Sequence, residues 1–165
     1  MIKIPKTDLR VHPLCLGANV FGWSADAQES NAVLDAYESH GGNFIDTADA
    51  YSQWKPGNQG GESETLIGHW LKKKDRKKFV IATKVALLNT RPGLSAANIL
   101  AACDDSLRRL QTDYIDIYYS HRDDAKTQIE ETLGAYAKLI KAGKVRHIAA
   151  SQHTGARLQE ALSIS

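Results

Sequence analysis

The sequence has few cysteines, no long apolar run and no strong excess of one charge. Its two cysteines, Cys15 and Cys103, lie in apolar surroundings without partner spacing, which argues against a disulfide framework and predicts a reducing compartment. No apolar run approaches the ~18 residues that a membrane-spanning helix needs, and the N-terminus lacks a signal-peptide hydrophobic region. The net charge of +2 is too small to indicate a nucleic-acid-binding protein. We therefore expect a soluble, cytoplasmic protein that binds neither membrane nor nucleic acid.

Two glycine-rich nucleotide-binding motifs are also absent. The turn after the first predicted strand reads Gly-Ala-Asn-Val-Phe-Gly-Trp (17–23), which is not the G-x-G-x-x-G fingerprint of open dinucleotide-binding sheets. No G-x-x-x-x-G-K-[ST] occurs. The six histidines show no ligand spacing with each other, so we expect no catalytic metal.

What the sequence does contain is a regular alternation of strand and helix patterns. The predicted strands lie at residues 14–18, 44–45, 79–83, 114–119 and 145–150, and a helical pattern follows each of them. No hairpin signal separates them, so the five units predict a parallel sheet covered by helices. A (β/α)8 barrel is favoured over an open sheet, although a barrel needs eight such units and typically ~250 residues. Residues 1–165 are expected to be one domain, with residues 1–13 as a small N-terminal hairpin or a cap.

The helical patterns give more detailed expectations. Capping boxes are predicted at Asp26/Glu29 and at Thr127/Glu130, and the basic run at 72–78 is interpreted as a solvated helix end. Val33, Tyr37 and His40 share one predicted stripe of the first helix, and Ile99, Ala102, Ser106 and Leu110 share one face of the third. On the fourth helix, Ile129, Leu133, Tyr136 and Ile140 are predicted to point inward.

Polar residues follow three successive strands at the point where each strand ends. Asp46, Lys84 and His121 are each separated by one strand–helix unit, so they fall at the same carboxyl-end level of a parallel sheet. Taken singly, Asp46 is explained as a turn-capping carboxylate, and Tyr51 as a loop aromatic. Lys84 is harder to explain in this way, because a lysine that follows an apolar inward face needs a partner. We therefore interpret the four residues together as one site at the mouth of a barrel.

These residue types suit proton transfer to an alkoxide. A carboxylate beside Lys84 keeps the lysine charged and holds it in place, and an ammonium close to the Tyr51 hydroxyl stabilises the phenolate. A nearby histidine polarises a carbonyl oxygen or shares the proton. Reduction of a carbonyl by hydride needs such a proton, and the hydride itself must come from a cofactor.

The sequence resembles the aldo-keto reductases. The resemblance rests on Asp-Thr-Ala at 46–48 with Tyr51, and it continues in order through further matching segments. These are Gly-Glu-Ser-Glu at 61–64, Ile-Ala-Thr-Lys at 81–84, Ser-Leu-Arg-Arg-Leu at 106–110, Thr-Asp-Tyr-Ile-Asp at 112–116, His-Arg at 121–122 and Gly-Lys-Val-Arg at 143–146. The segments at 7–9 and 14–17 also resemble the opening hairpin and first strand of the family.

The resemblance implies a (β/α)8 barrel that binds NADP(H) across its mouth and reduces aldehydes or ketones. Tyr51 would be the general acid, Lys84 and Asp46 would tune it, and His121 would orient the substrate carbonyl. Asp46 would also reach the nicotinamide ribose. Trp23 and Trp54 would shape the substrate pocket, or they only pack their loops.

Two features depart from the family pattern. The family usually has Ser-Asn after the fifth strand to hold the nicotinamide carboxamide, and this chain has Ser151-Gln152. The chain also contains no counterpart of the later strands, which in the family supply the pyrophosphate loop and the residues that select the cofactor. Because the sequence stops within the predicted fifth helix, we expect it to be part of a longer protein; a true partial barrel would be prone to self-association.

Two other functions stay open at the level of sequence. Lys84 could be the Schiff-base lysine of a lyase built on a barrel, with Asp46 and Tyr51 as proton shuttles. The chain could also be a non-catalytic, reductase-like module that binds a cofactor or a protein partner.

Overall fold

The computed structural model describes residues 1–164, and its elements follow the predicted alternation. The chain opens with an antiparallel hairpin of β1 (Ile2–Lys3) and β2 (Arg10–Val11). The five strands that follow are β3 (Leu16–Gly17), β4 (Phe44–Asp46), β5 (Val80–Val85), β6 (Ile115–Ser120) and β7 (Val145–Ala150). The helices are α1 (Ala27–Ser39), α2 (Glu62–Leu71), α3 (Ala96–Leu110), α4 (Ile129–Lys141) and α5 (Gly155–Ile164), and a short 3-10 helix covers Arg76–Lys78.

The five later strands form one parallel sheet in chain order, β3-β4-β5-β6-β7. Each βα unit therefore places its strand beside the previous one, as in a (β/α)8 barrel and unlike a doubly wound sheet, where the strand order reverses. Within residues 1–164, no helix combines the length and apolar character that crossing a bilayer needs.

The sheet buries a different cluster on each of its faces. The outer face packs against the helices through a large cluster that includes Ile81, Tyr118 and Leu110. The inner face carries a smaller cluster of Val80, Ala82 and Ile117, and the hairpin residues Leu9 and Val11 pack against it. Residues 1–13 therefore form a hairpin that covers the apolar inner face at the amino ends of the strands.

The basic segment at 72–78 agrees with its interpretation as a solvated helix end at Lys72, Lys73, Lys77 and Lys78, which are exposed, but not at Arg76. Arg76 donates to the buried Asp116 carboxylate at 2.7 Å and to the carbonyls of Tyr114 and Phe79. Asp116 also accepts from Arg146 at 2.6 Å. The arginine therefore anchors the start of β5 to β6, because the buried carboxylate needs charged partners.

The burial of these three helix faces differs. On α3, the predicted stripe of Ile99, Ala102, Ser106 and Leu110 is buried. On α1, Val33 is 41% exposed and the buried residues are Ser30 and Leu34. On α4, Ile140 is 42% exposed and Leu139 is buried in its place. The inward prediction for α4 is therefore wrong at Ile140 and right at Ile129 and Tyr136. Spacing alone does not fix which side of an apolar stripe meets the sheet.

The two predicted capping boxes also have different outcomes. At α1, Asp26 accepts from the amides of Gln28 and Glu29, and the Glu29 side chain accepts from the Asp26 amide, so this box is confirmed. At α4 the prediction is wrong, because the N-cap is Gln128 and its side chain makes no cap hydrogen bond. Thr127 donates instead to Asp124 at 2.8 Å and holds the preceding loop.

Candidate active site

The carboxyl ends of the parallel strands bring the predicted polar residues to one edge of the sheet. Asp46 is the last residue of β4, Lys84 is the next-to-last residue of β5, and His121 follows β6 directly. The sheet ladder continues past β6, since the His121 amide donates to the Val85 carbonyl at 2.9 Å. This bond sets the level of the histidine relative to the strand that carries the lysine.

The Lys84 ammonium lies at the centre of the cluster and is 6% exposed. It donates to the Asp46 carboxylate at 2.6 Å, to the Thr47 carbonyl at 2.7 Å and to Tyr51 Oη at 2.9 Å. A lysine ammonium has three N–H donors, so these three acceptors use all of them. The arrangement holds Lys84 as a charged group beside the phenol and leaves no nitrogen lone pair for nucleophilic attack.

Tyr51 reaches this cluster because the chain turns back over the end of β4. Residues 47–50 are buried, and the Tyr51 amide donates to the Ala48 carbonyl at 3.3 Å. The Tyr51 hydroxyl lies 3.5 Å from Asp46 Oδ2, and the Lys84 Nζ atom lies 4.6 Å from the centre of the tyrosine ring. The phenol oxygen therefore has an ammonium as its nearest partner and a carboxylate just beyond it.

His121 completes the group as a buried imidazole that packs edge-on against Tyr51, with 5.7 Å between the ring centres. Burial, and secondarily the positive charges of Lys84 and Arg122, lowers the pKa of His121 from 6.5 to about 4. The imidazole is therefore neutral at physiological pH. Within residues 1–164 its Nδ1 atom is buried and has no hydrogen-bond partner. A neutral imidazole offers one N–H donor to a carbonyl oxygen without competing with Lys84 for the carboxylate.

The two tryptophans named from the sequence form a wall beside Tyr51. Trp23 and Trp54 are 45% and 47% exposed, and their rings meet edge-on with 5.6 Å between centres. The Trp54 ring lies 6.3 Å from that of Tyr51. The two rings pack on each other and stay about half exposed, which shows that they pack their loops; their role in a substrate pocket stays a prediction.

Ser151 and Gln152 lie at the same edge of the sheet, just after β7. The Ser151 amide donates to the Ser120 carbonyl at 2.9 Å and so continues the ladder. Gln152 adopts a left-handed conformation with φ 53°, and its amide group bonds to the His121 carbonyl at 3.2 Å and to Arg122 at 3.3 Å. Its amide is thus already turned toward the His121 loop, a contact that the sequence did not indicate.

The matching segments at 61–64 and 106–110 support the site from behind the sheet. Glu64 is fully buried, where it accepts from Thr83 at 2.5 Å and from Arg109 at 2.6 Å. Gly61, with φ 85°, leaves room for the arginine, since a Cβ there would lie 2.4 Å from Arg109 Cδ. This pair fixes α2 and α3 against β5 on the face opposite Lys84.

One contact of the lysine had no signal in the sequence. The Thr47 carbonyl is a backbone acceptor for Lys84, and backbone groups leave no mark on residue type. The Thr47 hydroxyl faces away from the mouth and lies 2.8 Å from the Ser63 hydroxyl, which ties the turn to α2.

Comparison with known proteins accounts for this arrangement. The model of the aldo/keto reductase family matches residues 13–164. The chain belongs to this family. Norsolorinic acid reductase B of Dothistroma septosporum is 36% identical over 165 residues, which cover 89% of this chain and 40% of that protein.

Solved aldo-keto reductases share the fold. The thermostable aldo-keto reductase Tm1743, solved with the inhibitor epalrestat, matches with a TM-score of 0.84 and 30% identity over 99% of this chain and 58% of that one. An aldo-keto reductase from Klebsiella pneumoniae, solved with NADPH, matches with a TM-score of 0.80 and 31% identity over 94% of this chain and 50% of that one. The chain therefore supplies five βα units of an aldo-keto reductase barrel and spans 40% of that norsolorinic acid reductase.

Proposed function

We propose that the protein is an NADP(H)-dependent oxidoreductase that reduces aldehydes or ketones to alcohols, with Tyr51 as the general acid. The observation that carries the proposal is the Lys84 ammonium, which lies 2.9 Å from Tyr51 Oη and 2.6 Å from the Asp46 carboxylate. Family membership and the NADPH complex of a solved relative support it.

The proton is the part of the reaction that these residues supply. As the substrate oxygen gains negative charge, Tyr51 donates its hydroxyl proton to that oxygen and becomes a phenolate. Lys84 stabilises the phenolate by a charge-assisted hydrogen bond, and Asp46 keeps the lysine charged and aimed at the tyrosine. Because Lys84 is buried, this interaction is stronger than it would be in water.

His121 acts on the carbonyl rather than on the proton. Its low pKa keeps the imidazole neutral, so it donates a hydrogen bond to the substrate oxygen without a positive charge. The edge-on contact between the Tyr51 and His121 rings, with 5.7 Å between their centres, supports a shared role of the two side chains at one substrate oxygen. Such preorganised donors favour the charge that develops in the transition state.

The residues at the mouth also suit a nicotinamide cofactor. The Asp46 carboxylate side chain is 25% exposed and has acceptor capacity for a ribose hydroxyl, and Ser151 and Gln152 present a hydroxyl and an amide at the same sheet edge. The second N–H and the second lone pair of the Gln152 amide are compatible with a carboxamide partner, in addition to its contacts with His121 and Arg122. NADP(H), when bound, supplies the hydride.

The aromatic wall points to the class of carbonyl compound. Trp23 and Trp54 present nearly half of their surface beside Tyr51, and clustered exposed aromatic surface of this kind marks a binding site for flat apolar groups. We therefore expect aromatic aldehydes and ketones to be better substrates than small aliphatic ones of similar reactivity.

The Schiff-base lyase is the weaker alternative, because all three N–H groups of Lys84 have acceptors. Trapping with borohydride and a keto substrate separates the two, since a covalent adduct on Lys84 would contradict the reductase. A non-catalytic, reductase-like module is the other alternative, and the contacts among Asp46, Tyr51, Lys84 and His121 argue against it.

The experiment that tests the proposal is Tyr51→Phe, assayed by carbonyl-dependent consumption of NADPH. Loss of the hydroxyl removes the proton donor, and we expect kcat to fall by about 10²- to 10⁴-fold. Tyr119→Phe is the matched control. The Lys84 Nζ atom lies 5.9 Å from the centre of the Tyr119 ring, and the proposal gives the Tyr119 hydroxyl no role. Equal activity in wild type and Tyr51→Phe would overturn the mechanism.

A further inference from the structure

We propose that Ser52 and Gln53 are positioning residues for Tyr51. They follow the tyrosine directly in sequence. The Ser52 side chain bonds to the loop after β3, and the Gln53 side chain bonds to the loop after β5. The catalytic consequence rests on the function proposed above, whereas the structural part of the inference stands on the contacts alone.

Ser52 ties the tyrosine to the β3–α1 loop. Its side chain is fully buried, and its hydroxyl donates to the Phe21 carbonyl at 2.7 Å. Its backbone is in the left-handed region with φ 71°, which a residue with a Cβ adopts at a cost. A strained conformation persists where surrounding contacts hold it, and the bond to Phe21 is such a contact.

The attachment to the β3–α1 loop involves more than one bond. Three consecutive carbonyls of that loop accept side-chain donors from the loop that carries Tyr51: Phe21 from Ser52, Gly22 from Asn58 and Trp23 from Lys55. Asn58 also donates to the Ser52 carbonyl at 2.9 Å. Of these donors, only the Ser52 side chain is fully buried and next to Tyr51 in sequence, so it controls the tyrosine most directly.

Gln53 ties the same loop to the other side. Its Nε2 donates to the Leu87 carbonyl at 3.0 Å, and its Oε1 accepts from the Asn89 amide at 2.9 Å. Both partners lie in the loop that leaves β5, the strand of Lys84. The Gln53 side chain thus joins the loop that carries Tyr51 to residues 87–89, which follow the strand that carries Lys84.

These two attachments explain how a loop residue keeps a fixed distance from a strand residue. The Tyr51 hydroxyl lies within 3.5 Å of two described partners, Lys84 at 2.9 Å and Asp46 at 3.5 Å, and neither fixes the backbone that carries the ring. Ser52 and Gln53 fix that backbone from opposite sides. A shift of about 1 Å in a reacting group is enough to cost roughly 100-fold in rate.

The test compares Ser52→Ala, Ser52→Gly, Gln53→Ala and Gln53→Glu with Ser24→Ala and Gln59→Ala. Ser24 and Gln59 are exposed residues of the same two loops, and no hydrogen bond of their side chains occurs among residues 1–164. The readouts are amide hydrogen exchange at Tyr51, the ring resonances of labelled tyrosine, the midpoint of urea unfolding, and kcat with KM for NADPH and the carbonyl substrate.

We expect Ser52→Ala and Gln53→Ala to speed exchange at Tyr51 and to lower kcat about 10- to 100-fold with little change in KM for NADPH. Gln53→Glu keeps the acceptor for Asn89 but sets a carboxylate oxygen against the Leu87 carbonyl, so we expect it to be no better than Gln53→Ala. Ser52→Gly removes the hydroxyl and also relieves the left-handed strain. It therefore regains unfolding stability relative to Ser52→Ala but not kcat, a separation that a merely structural role does not give.

The outcomes for position and for function are distinguishable. The positioning role would be overturned if amide hydrogen exchange at Tyr51 and the tyrosine ring resonances were the same in all four variants as in the controls. So would a kcat of Ser52→Gly that recovers together with stability. If the wild type reduces no carbonyl compound, the proposed function fails, and the exchange and resonance data still decide whether Ser52 and Gln53 hold Tyr51.

Discussion

Asp49 is the residue whose charge state the fold alters most plainly near the site. Asp49 is 1% exposed, and within residues 1–164 neither of its carboxyl oxygens accepts a hydrogen bond of good geometry. Burial, and then the negative charge of Glu64, raises the pKa of Asp49 to about 7, against the opposing effects of Arg109, the Ala50 amide and Arg91. In the unfolded chain the same group titrates near its ordinary value of 3.8, so between pH 4 and pH 7 the folded protein binds the extra proton. The free energy of unfolding contributed by this group therefore falls as the pH rises from about 4 to about 7.

We predict that Asp49→Asn makes the protein more stable than wild type, with a difference that grows between pH 4 and pH 7 and then levels off. The amide copies the protonated acid and removes the titration, which is worth roughly 1.4 kcal/mol for each pH unit of the window. Urea unfolding at several pH values measures this. Asp113→Asn is the control at an exposed aspartate, and an Asp49→Asn difference independent of pH would contradict the assignment.

His121 titrates in the opposite sense. Since its pKa is lowered to about 4, the unfolded chain binds the extra proton between pH 4 and pH 6.5, and stability from this group falls as the pH falls through that window. NMR titration of the imidazole is expected to show the low pKa. Arg122→Ala should raise the value but keep it below 6.5, because burial is the largest cause and the charges of Lys84 and Arg122 come after it. Arg108→Ala, at an exposed arginine, should leave it unchanged, and a wild-type pKa near 6.5 would contradict the buried, neutral imidazole.

At the scale of elements, the strands were easier to predict than the helix faces. Alternation along β5 places Lys84 on the same face as Val80 and Ala82, which pack inward, so its direction could be read from the sequence. The contacts of Tyr51 could not, because they depend on the path of a loop and on backbone acceptors. The left-handed backbone at Gln152 had no residue signal either, since glycine is the usual occupant of that region.

Helix caps give a prediction at this scale. Asp26→Ala should destabilise the protein by about 1 kcal/mol, because it removes the side chain that accepts from two amides at the start of α1. Gln128→Ser should stabilise it by about 0.5–1 kcal/mol, since the N-cap of α4 has no side-chain hydrogen bond. The midpoint of urea unfolding measures both. Gln128→Ala is the control, and a loss of stability in Gln128→Ser beyond that control would show that the cap position is occupied differently.

At the scale of the whole molecule, the sheet order and the predicted fold agree, and the outer strands leave apolar surface uncovered. Along β7 the burial alternates from Val145 outward, with Ile148 38% exposed, and Leu158 of the adjoining α5 is 39% exposed. The two side chains line an apolar cleft of about 350 Å³ between β7, α4 and α5. An uncovered strand and apolar cleft of this kind favour association with another chain.

We predict that a polypeptide of these 165 residues self-associates through this surface. Ile148→Lys and Leu158→Glu should each shift the sedimentation distribution toward the monomer, because they place a charge on the apolar contact. Val33→Lys is the control, as Val33 is similarly exposed on α1 at the far side of the sheet. A distribution that is monomeric in the wild type, or that shifts equally in all three variants, would contradict the prediction.

The central claim is that Tyr51, Lys84, Asp46 and His121 form a site for reduction of a carbonyl group by hydride. The most direct measurement follows deuterium from NADPH that carries deuterium at both C4 positions of the nicotinamide into the alcohol formed from an aromatic aldehyde, by mass spectrometry. We predict one deuterium at the former carbonyl carbon with the wild type, and about 10²-fold less or lower alcohol formation with Tyr51→Phe in the same time. Alcohol without deuterium, or deuterium transfer at the same rate in Tyr51→Phe, would contradict the account.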